Sequence, residues 1–168
     1  MLWLSDCGLI HKLSRVVKPG LPLKAYEDLE AFKLFILDVG LLSSMVRLDQ
    51  SVLLDGNRLF SEFKGALTEQ YVMQQLKTNK NLDAYYWTND CGSAEIDFIL
   101  DTGTDVLPLE VKATINLQSK SLKAYDEKFR PSHSIRTAMT DYKWENRLLN
   151  LPLWAVESLE EVLKYRKA

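Results

Sequence analysis

The sequence predicts a mixed α/β (α+β) domain, and three patterns in the second half of the chain support this prediction. Apolar residues recur at helical spacing over residues 59–77. Three runs of strand-forming residues follow at 84–88, 94–100 and 106–113. Their short polar loops contain glycine, which is typical of antiparallel hairpins. A second amphipathic helix is expected over 119–129, so the predicted order is helix, three strands, helix.

The remaining elements complete this order on both sides. Before the first of these helices, the runs 9–17 and 32–39 are predicted to be strands that pair as a small sheet, with a turn or short helix at 23–31 between them. A short helix is expected to end near residue 48. After 119–129, the runs 134–139 and 153–156 are predicted to be strands, and Ser158 is expected to cap a last helix.

A domain boundary is predicted in the polar stretch 49–57, which contains Asp55-Gly56-Asn57. Residues 1–58 then form a small α/β lead and residues 59–168 the main domain. The first seven residues are typical of the last turns of an amphipathic helix with Gly8 as its C-cap. Two interpretations stay open: the lead is the remnant of a linker from an absent ATPase domain, or the helix has a frayed start.

Composition excludes several classes of protein. The chain has 168 residues and a net charge of -2, and its only cysteines are Cys7 and Cys91. Two cysteines and two histidines exclude a disulfide scaffold and a zinc finger, and free thiols suit the cytoplasm. No apolar stretch is long enough to span a membrane. The chain has no GxxxxGK[ST] loop, so we expect no ATP binding by this chain itself.

Acidic residues concentrate in one segment. Residues 83–110 contain seven acids and no Lys or Arg, whereas 1–24 and 113–147 each carry an excess of three positive charges. Most of the acids fall in predicted loops, but Glu95, Asp97 and Glu110 fall in predicted strands, where acids are disfavoured. The basic excesses are typical of a solvated surface, and they also suit contact with DNA.

The two strands that carry these acids are predicted to place them side by side. On 106–113, Glu110 and Lys112 share one face. On 94–100, Ile96 and Phe98 share one face, and Glu95 and Asp97 share the other. Pairing of the strands would bring Asp97 next to Glu110. Two carboxylates about 4 Å apart repel by about 4 kcal/mol at an effective dielectric constant of about 20. Such a pair needs a cation, a lysine or a raised pKa.

The first predicted helix supplies a further carboxylate. Glu69 lies three residues after Ala66 and four before Met73, so it projects from the apolar stripe of the helix. Burial of this side chain is costly unless a partner neutralises it. Glu69 is therefore a candidate site residue together with Asp97 and Glu110.

These residues carry a resemblance to a known superfamily. A helix with Glu69, a strand with Asp97 and a next strand with Glu110-Val111-Lys112 resemble the PD-(D/E)XK nucleases, which have a restriction-endonuclease-like core of order α-β-β-β-α-β. A narrower family is also similar: the uncharacterised domain usually found C-terminal to the ATPase core of bacterial and archaeal AAA-type proteins. The segments that carry the narrower likeness are 8–10, 33–41, 65–69, 85–88, 95–98 and 109–112.

The resemblance implies a role for each matching residue. Asp97, Glu110 and the Val111 backbone carbonyl would bind Mg²⁺ or Mn²⁺, and Glu69 would hold a water beside the metal or a second metal. Lys112 would orient the attacking water and stabilise charge on the scissile phosphate. Members of the superfamily also carry Gln or Lys on the following helix, where the substrate-binding candidates are Gln118, Lys120 and Lys123.

Two functions of different classes are consistent with this sequence. The first is a cytoplasmic, metal-dependent nuclease-like domain that acts on or binds DNA. The second is a non-catalytic module with a nuclease-like fold that binds an ATPase domain or another protein. The second function predicts an exposed apolar patch near residues 1–9.

Overall fold

Eight strands form one sheet in the computed structural model, which describes residues 2–48, 61–89, 91–113 and 119–167. The strands are rich in β-branched, aromatic and leucine side chains, and most positions in the central ones are buried. They are β1 Ile10–Val16, β2 Glu27–Ile36, β3 Asp83–Thr88, β4 Glu95–Asp101, β5 Val106–Val111, β6 Ser134–Ala138, β7 Lys143–Glu145 and β8 Leu148–Pro152.

Five α-helices accompany the sheet in the described residues. They are α1 Leu2–Asp6, α2 Val39–Met45, α3 Ser61–Leu76, α4 Lys120–Phe129 and α5 Leu159–Lys167. Side-chain caps define two of the helix starts, since Asp38 accepts a hydrogen bond from the Leu41 N–H and Ser119 accepts one from the Leu122 N–H. None of the helices in the described part of the chain is long and apolar enough to cross a membrane.

The strand order is β2-β1-β3-β4-β5-β6-β8-β7, with four antiparallel and three parallel neighbouring pairs among the described strands. β1 joins β3 in parallel, so the N-terminal strand pair continues the same sheet as the later strands. The hairpins β3–β4 and β4–β5 are antiparallel, and α4 connects β5 to its parallel neighbour β6. The fold is therefore a mixed α/β structure.

Helices cover both faces of this sheet. On one face, Val72, Met73 and Leu76 of α3 pack into a core that includes Phe98 and Leu109. On the other face, α4 contributes to a smaller core. The members of that smaller core include Leu122, Tyr125, Trp87, Ile96 and Ile99.

A β-bulge interrupts β4 at Asp97. Tyr85 is opposite Ile99 and Trp87 is opposite Ile96, so β4 has one more residue than β3 across this interval. Phe98 consequently faces the larger core while Ile96 faces the smaller one. The prediction that Ile96 and Phe98 share a face is therefore wrong, because strict alternation holds only where the strand has no bulge.

Several predicted elements differ from the observed ones. Residues 153–156 were predicted as a strand, but they lie in a 3₁₀ helix, Leu153–Ser158, since the strand ends at Pro152. The last helix, α5, does begin directly after Ser158, as predicted, although Ser158 is also the last residue of this 3₁₀ helix. β2 begins at Glu27, so the turn predicted over 23–31 is limited to the 3₁₀ helix Leu23–Tyr26. The predicted boundary at 49–57 lies outside the described residues.

Candidate functional site

The site lies where β4 and β5 separate. Their ladder runs from Asp101 opposite Val106 to Phe98 opposite Leu109. Past this point, the Val111 N–H donates to Asp97 Oδ2 at 2.7 Å. The side chain of Asp97 thus replaces a ladder partner, which places its carboxylate against the end of β5.

Glu110 and Lys112 form an ion pair at this end of β5. Lys112 Nζ lies 2.6 Å from Glu110 Oε1, and the Lys112 N–H donates to the Thr137 carbonyl on β6. Glu110 is only 5% exposed. Its second oxygen, Oε2, is buried and has no hydrogen-bond partner in the described structure. An unpaired buried carboxylate oxygen is costly, so this oxygen has capacity for a further cationic ligand.

Asp97 has the most perturbed acidity of the site. Burial, followed by the negative charges of Glu110 and Glu69, raises the pKa of the Asp97 carboxyl from 3.8 to about 8. The hydrogen bond from Val111 and the positive charge of Lys33 act in the opposite direction. Like charges close together in a buried site favour protonation of one carboxyl or binding of a cation. Asp97, Glu110 and Glu69 are therefore electrostatically coupled.

Glu69 projects from α3 toward a lysine of the N-terminal strand pair. Lys33 Nζ lies 3.4 Å from Glu69 Oε2 and also forms an ion pair with Glu95 Oε1. Burial lowers the pKa of the Lys33 ammonium, but the charges of Glu69 and Glu95 outweigh it and raise that pKa above its ordinary value. Lys33 and Glu95 thus join the predicted residues at this end of the sheet.

The predicted substrate-binding residues lie around α4. Lys120 and Lys123 are exposed on this helix. Gln118 lies outside the described residues. The helix packs on the sheet through Leu122 and Tyr125, which leaves both lysines accessible to solvent.

Sequence reasoning missed two bases near these acids. Lys33 lies in β2, and Arg136 lies in β6 in register with Glu110. Arg136 Nε donates to Asn150 Oδ1 at 2.9 Å, and its charge interacts with that of Glu110. Lys33 is the only base in the predicted strand 32–39, and Arg136 is the only base in the predicted strand 134–139. That pattern was visible in the sequence and is disfavoured unless a partner is present.

The described residues include no group of three or more His, Cys, Asp and Glu side chains arranged to hold a metal ion. The geometry instead offers two coupled carboxylates, Asp97 and Glu110, beside a lysine. Such a set can bind one hard cation whose other ligands are water or substrate. It can also position a water next to an ammonium group.

Comparison with protein families gives two matches. Residues 64–156 match a domain of unknown function, DUF4143, and residues 1–52 match a second one, DUF8612. The first match covers more than half of the chain and includes Glu69, Asp97, Glu110 and Lys112. Lys33 lies in the second. A search of the curated proteins and a search of the solved structures found no match.

Proposed function

Because the chain belongs to the DUF4143 family, whose function is unknown, we propose a function from its site: a metal-dependent phosphodiesterase of the PD-(D/E)XK kind that acts on DNA. The observation that carries the proposal is the buried oxygen Oε2 of Glu110, which has no hydrogen-bond partner among the described residues. The charge of Glu110 also acts on the carboxyl of Asp97. A divalent cation would satisfy both groups. The restriction-endonuclease-like core is part of the proposal, and the order α3-β3-β4-β5-α4-β6 supports it.

Asp97 and Glu110 suit Mg²⁺ or Mn²⁺. Mg²⁺ usually takes one or two protein carboxylates and completes its octahedron with water and phosphate oxygens. The Val111 backbone carbonyl is a further proposed ligand at the end of β5. When bound, the cation would lower the pKa of a water molecule and stabilise charge on a phosphate.

The protein's own groups would contribute positioning and charge. Lys112 is held by Glu110 at 2.6 Å, so its ammonium is fixed next to the carboxylates, where it can orient a water and stabilise a phosphate oxygen. Lys120 and Lys123 are exposed and can contact the phosphate backbone. We propose the cytoplasm as the compartment, since Cys7 and Cys91 are both free and exposed.

Titration of Mn²⁺ by calorimetry tests the metal site. We expect wild-type protein to bind Mn²⁺ and Asp97→Ala to lose this binding, because one of two carboxylates is removed. Asp83→Ala, an exposed acid at the far end of β3, serves as the control and should behave as wild type. Equal heats for wild type and Asp97→Ala would contradict the metal site.

Cleavage of supercoiled plasmid and branched DNA in Mn²⁺ tests the activity. We expect cleavage by wild type and its loss in Lys112→Ala, with circular dichroism confirming that the variant folds. Cleavage that is unchanged in Lys112→Ala would show that these residues are not the active site.

A second function is a non-catalytic module that binds an ATPase domain or another protein. The observation that favours it is the exposure of two large apolar side chains near the N-terminus: Trp3 on α1 is 72% exposed, and Leu9, which follows this helix, is also exposed. This function predicts no Asp97-dependent Mn²⁺ binding and no cleavage. It also predicts that Trp3→Ser weakens association with an ATPase domain, measured by light scattering on the purified mixture.

A further inference from the structure

One cation of the site comes from a part of the chain that lies outside the DUF4143 match. Lys33 belongs to β2, within the segment that matches DUF8612, whereas Glu69 and Glu95 belong to the DUF4143 segment. The ammonium of Lys33 contacts a carboxylate of α3 and a carboxylate of β4. Its side chain is 24% exposed, so these contacts are partly shielded from water.

The surroundings hold the ammonium in place from a third direction. Lys33 Nζ lies 5.2 Å from the centroid of the Tyr86 ring, which is within range of a cation–π interaction. The charge of Lys33 also acts on Asp97. The Lys33 ammonium therefore neutralises acids on α3 and on β4, and these acids in turn favour its charged form.

The position of this ammonium bears on how many cations the site can take. Glu69 and Glu95 are engaged by Lys33, whereas Oε2 of Glu110 has no partner in the described structure. The acids thus divide into Glu69 and Glu95, which Lys33 engages, and a second pair, Asp97 and Glu110. In this second pair, Lys112 contacts Oε1 of Glu110 and leaves Oε2 without a hydrogen-bond partner among the described residues. Lys33 is part of the chain, so its ammonium has a high effective concentration beside Glu69. A divalent ion from solution must displace this ammonium to bind Glu69.

We propose that Lys33 is a built-in cation that takes the place of a second divalent ion beside Glu69, so that the site binds a single divalent cation through Asp97 and Glu110. The inference rests on the proposed metal site and assigns Glu69 a different role from a direct metal ligand. It also makes the N-terminal strand pair part of the site.

The test counts bound Mn²⁺ by electron paramagnetic resonance of the free ion, at one pH and ionic strength. Lys33→Met removes the charge and keeps the apolar stem over Tyr86. We expect one Mn²⁺ per chain in wild type, and a second in Lys33→Met that is lost again when Glu69→Gln is added. Lys12→Met is the matched control, because Lys12 lies on β1 with its ammonium 5.0 Å from the Phe32 ring. It should bind one Mn²⁺.

A single Mn²⁺ with unchanged affinity in Lys33→Met would overturn the inference. If Lys33→Met does not fold, Glu69→Gln in the wild-type background decides the question. The inference expects Glu69→Gln to bind one Mn²⁺ as wild type does, and loss of that ion would overturn it.

The same measurements separate this inference from the proposed function. If wild type binds no Mn²⁺ while Lys33→Met binds one that Glu69→Gln removes, the role of Lys33 stands and the proposed function fails. If neither protein binds Mn²⁺, both are overturned.

Discussion

Asp97 makes the stability of the protein depend on pH. Its pKa of about 8 in the folded protein exceeds the ordinary value of 3.8, so the folded state keeps a proton that the unfolded chain releases between these pH values. The free energy of unfolding then falls as pH rises, by up to about 1.4 kcal/mol per pH unit for one proton. The stabilisation that comes from the Asp97 proton is fully present below 3.8, the pKa in the unfolded chain, and is lost as the pH rises through about 8.

Asp97→Asn is predicted to remove this dependence, because the amide does not titrate and its oxygen can still accept from the Val111 N–H. In urea unfolding with a chelator present, the stability of Asp97→Asn relative to wild type should increase from pH 4.5 to pH 8. Asp83→Asn is the exposed control. Parallel curves for wild type and Asp97→Asn would contradict the raised pKa.

At the residue scale, local spacing predicted some contacts of the site and could not predict others. Alternation on a strand placed Glu110 next to Lys112, and the structure has this ion pair. The contact of Lys33 with Glu69 spans 36 positions of sequence, and no local pattern specifies such a partner. The roles that we give these residues in metal binding and catalysis stay predictions.

At the scale of elements, Gln70 attaches α3 to the edge strand β2. Its Nε2 donates to the Ile36 carbonyl at 2.6 Å, and its Oε1 accepts from the Ile36 N–H at 3.0 Å. The side chain amide thus pairs with the strand backbone as a neighbouring strand would. Since Gln70 is 3% exposed, both bonds are shielded from water.

Gln70→Met is predicted to lower the free energy of unfolding by about 2–3 kcal/mol, because it leaves two backbone groups of Ile36 without this partner. Faster hydrogen exchange of the Ile36 amide should accompany the loss. Gln74→Met is the graded control. Gln74 accepts a single hydrogen bond, from the Val39 N–H at 3.2 Å, so this substitution should lower the free energy of unfolding by less. An Ile36 amide that exchanges at the wild-type rate would contradict this role.

Helices and strands with a clear hydrophobic period were predictable from the sequence. Features that depend on contacts with neighbouring elements were not. Helical spacing predicted a helix over 59–77, and α3 is Ser61–Leu76. The bulge at Asp97 leaves no trace in the spacing of β4, because it arises from pairing with β3. The 3₁₀ helix at Leu153–Ser158 has the apolar composition of a buried strand, and periodicity cannot separate the two in so short a run.

For the whole molecule, the N-terminal strand pair is built into the sheet and into both cores. Leu13 belongs to the larger core and Val16 to the smaller one, and both are fully buried. β1 also covers the edge of β3. The predicted division at residue 58 therefore separates segments that share one sheet.

A chain that begins at residue 59 is predicted not to fold stably alone, because it exposes the edge of β3 and the apolar surface under Leu13 and Val16. Circular dichroism should show a loss of cooperative unfolding, and a separate peptide of residues 1–58 should restore it. A fragment that unfolds at the same urea midpoint as the full chain would contradict this expectation.

The smaller core also provides an optical signal close to the site. Trp87 is 3% exposed, whereas Trp3 and Trp154 are at least 70% exposed, so acrylamide should quench the fluorescence of the latter two selectively. Trp87 packs edge-on against Tyr125 and Phe129, and it is opposite Ile96, the residue before the bulge. Its emission in a protein that carries Trp3→Phe, Trp144→Phe and Trp154→Phe can therefore follow movements of β4 at Asp97 without an added label.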